Sequence, residues 1–60
     1  MLVEERYQKI LDLMKDTGSI RGVELQKKLH VSSETVRRDL ENMEAQGLIR
    51  RARGGAFLKE

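Results

Sequence analysis

Sixty residues with a net charge of +2 and no cysteine are enough for one small domain and no more. Such a chain buries only roughly 60% of its unfolded surface; with no disulfide or evident metal cluster to staple it, a core drawn from its 38% hydrophobic residues has to hold it together. No apolar run approaches the ~20 residues that span a bilayer, and the opening MLVEERYQ turns acidic too early for a secretory signal; the expectation is a soluble, cytoplasmic chain, which the lack of cysteine fits.

Val3, Tyr7, Ile10, Leu11 and Met14 recur at helical spacing, widened by Leu13, and predict a first helix over about 3–16. Glu4 and Glu5 fall in its first turn and Lys15 near its end, where the helix dipole favours each sign. Gly18 supplies a left-handed stop. Ser19-Ile20 reads as one extended step, an edge for later strands to pair with. A second helix is predicted over about 22–29, with Val23, Leu25 and Leu29 on its apolar side and Lys27 and Lys28 on its wet side.

His30-Val31 is too short for a flexible linker and reads as a tight connection between helices. Ser32 is a good N-cap for a third helix, with Ser33 behind it. Val36, Leu40 and Met43 follow at i, i+4 and i+7, and Gly47 closes a helix over about 33–46. Beyond it the helical stripe disappears. Leu48-Ile49 and Ala56-Phe57-Leu58 are two short apolar runs, and Gly54-Gly55 between them suits a hairpin turn that needs positive φ, over about 48–58. Residues 50–59 hold four basic side chains and no acid, with Arg50, Arg51 and Arg53 crowding the turn. The fold class is mainly α (α+β): three helices and a C-terminal basic β-hairpin.

With Val36, Leu40 and Met43 set inward, Glu34, Arg38, Glu41 and Ala45 point outward, flanked by Arg37 and Thr35. Glu34 with Arg38, and Arg37 with Glu41, are i, i+4 pairs that stabilise a surface helix slightly, and this alone would explain their presence. The context argues for more. A short helix, a tight turn and a second helix that starts with hydroxyls is the helix-turn-helix arrangement, whose second helix presents its N-terminal residues to base edges in the major groove of DNA. Serine and threonine bond phosphates or bases, and arginine grips guanine O6 and N7 together. From Ser32 to Gln46 two arginines meet four acids, a net −2, so this helix needs the hairpin arginines to hold a polyanion.

VSSETVRRDLENMEAQGLIRRARGGA resembles the N-terminal winged helix-turn-helix of DeoR-type bacterial transcriptional regulators. The resemblance rests on Val31-Ser32, Thr35-Val36-Arg37-Arg38-Asp39-Leu40, Gly47-Leu48-Ile49 and Gly54-Gly55-Ala56, and runs from about Arg6 to Phe57. One position departs: the family usually has His before Gly-Gly, and Arg53 here keeps a donor and fixes a positive charge. The resemblance implies a repressor bound to double-stranded DNA. It also implies a C-terminal domain, outside these residues, that senses a sugar-phosphate effector and mediates homo-oligomerisation. The 60 residues are then a single winged helix-turn-helix domain, expected to be a monomer, or a weak dimer, in isolation.

The expected contacts follow. Ser33, Glu34, Arg37 and Arg38 face bases; Arg6, Lys27, Ser32 and Thr35 hold phosphates; Arg50, Arg51 and Arg53, with Gly54 and Gly55, place the wing on the backbone or in the minor groove. The alternative is a winged helix that binds a protein, which predicts an exposed apolar patch where the third helix is mostly charged. Single-stranded RNA readers stack bases on aromatics, and the chain has only Tyr7 and Phe57. An enzyme is not expected: His30, Ser32 and Asp39 suggest a triad, but Ser32 has the stronger claim as a cap. A lone histidine makes no metal site, and no cofactor is expected.

Overall fold

The computed structural model describes residues 2–59. Its elements are α1 (Val3–Met14), β1 (Ser19–Arg21), α2 (Gly22–Leu29), α3 (Ser33–Ala45), β2 (Ile49–Ala52) and β3 (Gly55–Leu58). The strands form one antiparallel sheet in the order β1-β3-β2. β2 and β3 make the expected hairpin. The extended step at Ser19-Ile20 becomes a third strand, with Ile20 opposite Ala56 and Arg21 opposite Gly55. The architecture is a three-helix winged helix-turn-helix with a β-hairpin wing.

Ile10 and Met14 of α1, Leu25 and Leu29 of α2, and Val36, Leu40 and Met43 of α3 meet Ile20, Ile49 and Ala56 of the sheet in one core. Tyr7, Leu11, Leu13, Val31 and Leu58 pack around it. Two residues expected on apolar faces are exposed instead. Val3 is 46% exposed, in the first turn of α1, where residues 3–5 all face solvent and burial begins at Arg6 and Tyr7. Val23 is 58% exposed. On an eight-residue helix the buried stripe is Leu25 and Leu29, one turn apart, and Val23 lies about 200° round the helix from Leu25.

The helix ends follow local chemistry. α1 stops at Met14, two residues short of the expected end, and the N–H of Gly18, at φ +81°, donates back to the Met14 carbonyl at 2.6 Å. His30 takes the left-handed conformation, φ 56°, that ends α2, and its N–H donates to the Gln26 carbonyl. Ser32 caps α3, as expected, by accepting from the Thr35 N–H at 3.2 Å. α3 ends at Ala45 with Gln46 as its cap.

The two glycines of the wing divide the work expected of both. The turn is Arg53-Gly54, and only Gly54 has positive φ, +79°. Gly55 is already in β3, where it passes so close to β1 that a Cβ would overlap the carbonyl oxygen of Ile20. The Gly22 N–H donates to the Gly54 carbonyl at 2.8 Å and ties the turn to the start of α2.

Candidate nucleic-acid interface

α3 exposes Ser33, Glu34, Arg37, Arg38, Glu41 and Ala45 along one side, as its inward stripe requires. The charges on this face are paired. Arg37 donates through Nη2 to Glu34 Oε2 at 2.6 Å and through Nη1 to Glu41 Oε1 at 2.8 Å. It thus bridges an acid one turn before it and one turn after. Arg38 Nε lies 3.6 Å from Glu34 Oε2, and its side chain is 71% exposed. Both i, i+4 pairs expected from spacing are present, and Glu34 with Arg37 adds an i, i+3 pair. The hydrogen bond from Arg37 holds the Glu34 carboxyl below its ordinary range, and the bond to Glu34 raises Arg37 in turn.

At the start of the helix, the Ser32 hydroxyl donates to Thr35 Oγ1 at 3.1 Å while accepting from the Thr35 N–H. Cap and threonine therefore hold each other, and Ser32 stays exposed.

Successive side chains of a strand face opposite ways, so Arg50 and Arg51 part company on β2. Arg51 turns to α3, with Nε 3.2 Å from Glu44 Oε1 and Nη1 3.7 Å from Glu41 Oε2. Arg50 and Arg53 are exposed. An open groove of about 530 Å³ lies between α3, the start of α2 and the hairpin. Ser33 and Arg37 line one wall and Arg51, Arg53, Gly54 and Gly55 the other. The fold thus brings two of the expected base-facing residues and the wing turn to one groove. Lys27 is exposed in the last turn of α2, away from that lining.

Arg6 has a different setting from the one expected of a phosphate contact. Its Nε and Nη2 donate to the two oxygens of Asp39, the second at 2.8 Å. Asp39 is buried, with only 3% of its surface exposed. The bond to Asp39 raises the guanidinium above its ordinary value, against the opposing effect of partial burial. Asp39 is legible as an oddity: it lies at the edge of the inward arc, about 40° beyond Met43, where a buried acid needs a partner. Arg6 sits one turn before Ile10, at the margin of the α1 stripe, and the fold brings it to that acid.

Among the described residues no group of three or more His, Cys, Asp or Glu could hold a metal ion. No helix there is long and apolar enough to cross a membrane.

A tight helix-turn-helix, a hairpin beside its second helix and arginines on both define the winged class of helix-turn-helix domain. The chain belongs to the DeoR-like helix-turn-helix domain family, whose pattern matches residues 6–60. It is 46% identical over 55 residues to the lactose phosphotransferase system repressor of Lactococcus lactis subsp. lactis, covering 92% of this chain and 22% of that protein. It is 45% identical over 58 residues to the HTH-type transcriptional repressor GlcR of Bacillus subtilis, 97% of this chain and 22% of the relative. The glycerol-3-phosphate regulon repressor of Escherichia coli is 41% identical over 54 residues, 90% of this chain and 21% of the relative. The chain thus spans about a fifth of the length of the curated relatives it matches. No solved structure matches it.

Proposed function

We propose that this chain binds double-stranded DNA sequence-specifically as the reading head of a transcriptional repressor. α3 lies in the major groove, and the wing rests on the backbone or in the adjacent minor groove. The observation that carries the reading is the shared groove, with Ser33 and Arg37 across from Arg53 and Gly54. A helix that presents hydroxyl and guanidinium donors beside a basic hairpin matches the two surfaces that duplex DNA offers, base edges and phosphates.

Ser33, Glu34, Arg37 and Arg38 reach bases in this reading. Arg38 is the foremost base reader, because it is the most exposed of the arginines in the ion pairs of α3 and has one loose partner. Ser32 and Thr35 hold phosphate at the start of the helix, and Lys27 holds it from α2. Arg50, Arg53, Gly54 and Gly55 seat the wing. Arg37 exchanges its carboxylate partners for the groove when DNA binds.

The relatives' names, a lactose phosphotransferase system repressor and a glycerol-3-phosphate regulon repressor, support repression as the activity. They also support a sugar phosphate as the effector, sensed outside these 60 residues. The working protein is then a cytoplasmic homo-oligomer that engages two half-sites about 34 Å apart, while the isolated domain is a monomer.

The test is an amide chemical-shift titration with an arbitrary DNA duplex at low and then raised salt. Shifts that cluster on residues 32–38 and 50–55 and fade with salt are expected. An absence of shifts at low salt would overturn the reading and direct attention to a protein partner.

A further inference from the structure

β2 is an outer strand of the sheet, so one edge of its backbone has no neighbouring strand. On that edge the Arg51 N–H donates to Glu44 Oε2 at 3.0 Å. Glu44 stands in the last turn of α3. Its other oxygen accepts from Arg51 Nε at 3.2 Å. One carboxylate therefore holds both the main chain and the side chain of a single wing residue. The backbone donor is the first cause keeping the Glu44 carboxyl below its ordinary range, ahead of the guanidinium. Glu41 Oε2 lies 3.7 Å from Arg51 Nη1 and supports the same side chain from one turn earlier.

An exposed ion pair holds little by itself and yields to salt. The main-chain bond is different. It uses an edge donor that would otherwise face water, and a phosphate that captured the Arg51 guanidinium would leave it in place. β3 is held in the sheet by its pairing with β1, and two further ties act on the rest of the hairpin: Gly22 on its turn, through the Gly54 carbonyl, and Glu44 on the outer edge of β2. These attachments fix the distance between the outward face of α3 and Arg53 at the tip.

We infer that Glu44 is a positioning residue that locks the wing to α3, with Arg51 as its strut rather than a third wing cation for DNA. This rests on the reading of the chain as a duplex-DNA binder. The acid that a simple charge count sets against DNA binding thereby serves it. Geometric complementarity between a rigid two-part surface and a duplex is lost when one part swings free.

Two variants separate the lock from mere charge, Glu44→Ala and Glu44→Gln. The glutamine oxygen still accepts from the Arg51 N–H, but its charge is gone. Two readouts are taken: hydrogen exchange of the Arg51 amide in the free chain, and affinity for an arbitrary duplex at low salt. In Glu44→Ala the Arg51 amide is expected to exchange about tenfold faster while the Leu40 amide in the α3 core is unchanged. Its DNA affinity should fall about fivefold, the factor one hydrogen bond is worth, despite the lost negative charge. Glu44→Gln should keep the protection and bind at least as tightly as the original chain. If both variants tighten DNA binding alike, or if alanine leaves the Arg51 amide protected, Glu44 only competes for cations and the inference falls. A chain that binds no duplex would overturn the DNA reading alone, because the exchange comparison is made without DNA and still decides the lock.

Discussion

Arg6 of α1 and Asp39 of α3 form a two-point ion pair whose carboxylate is buried beneath the face opposite the exposed arginines. The pair ties α1 to the buried side of α3. Removing the guanidinium strands a buried charge, which costs about 3 kcal/mol, a large part of the stability of a domain this small. Arg6→Met is expected to lose that much in urea denaturation, and Arg6→Met combined with Asp39→Leu to recover most of it. Losses that simply add in the double variant would show two independent residues.

Ser32 caps α3 by accepting the Thr35 N–H. Ser32→Ala should cost about 1 kcal/mol, and Ser32→Asp should retain most of the stability because aspartate caps as well. Thermal unfolding of the three chains measures this. It also separates the cap from any phosphate contact, since no DNA is present.

The wing glycines should respond differently to alanine. Gly54→Ala meets no neighbour but forces positive φ on a residue with a Cβ, at about 1 kcal/mol. Gly55→Ala drives a methyl into backbone of β1, which has no flexible side chain to yield, and should cost more than 2 kcal/mol. Comparable melting points for the two variants would contradict the close β1–β3 approach.

Acid should loosen the domain through its surface carboxylates. Glu34 is held low first by Arg37, Glu44 by the Arg51 N–H, and Asp12 by Gln8 and then Lys15. Each is a stronger acid folded than unfolded, so folding favours the ionised form. Their stabilisation is complete above ordinary carboxylate values, about 4, and is lost as pH falls through the depressed folded values. Urea midpoints should be level from pH 7 to 5 and drop between pH 4 and 3. The Glu34 carboxyl should titrate nearer the ordinary range in Arg37→Met.

Arg38 and Arg53 should fail in distinct ways if α3 reads the groove. Once an operator has been selected from random duplexes, Arg38→Ala should weaken it about ten- to a hundredfold and random DNA little. Arg53→Ala should weaken both and reduce the salt slope by about one phosphate. Equal loss on both duplexes from Arg38→Ala would make it a phosphate contact.

The sequence by itself determined the helices, the Ser32 cap, the glycine stops and the outward strip Glu34-Arg38-Glu41, because each depends on contacts no more than a turn or two apart. Periodicity placed Val36, Leu40 and Met43 inward for the same reason. The pairing of Ser19-Ile20 with a later strand was legible only as an open edge; its partner and register were not. The tertiary structure alone decided the matters that join distant segments. Arg6 meets Asp39 across 33 positions, Gly55 is needed because β1 passes beside it, and Glu44 holds the edge of β2. Local spacing carries no information on which remote charge will satisfy a buried acid or an unpaired strand edge. That choice is made when packing brings the elements together; for the buried Asp39 it is enforced by the cost of an unmet charge in the dry interior.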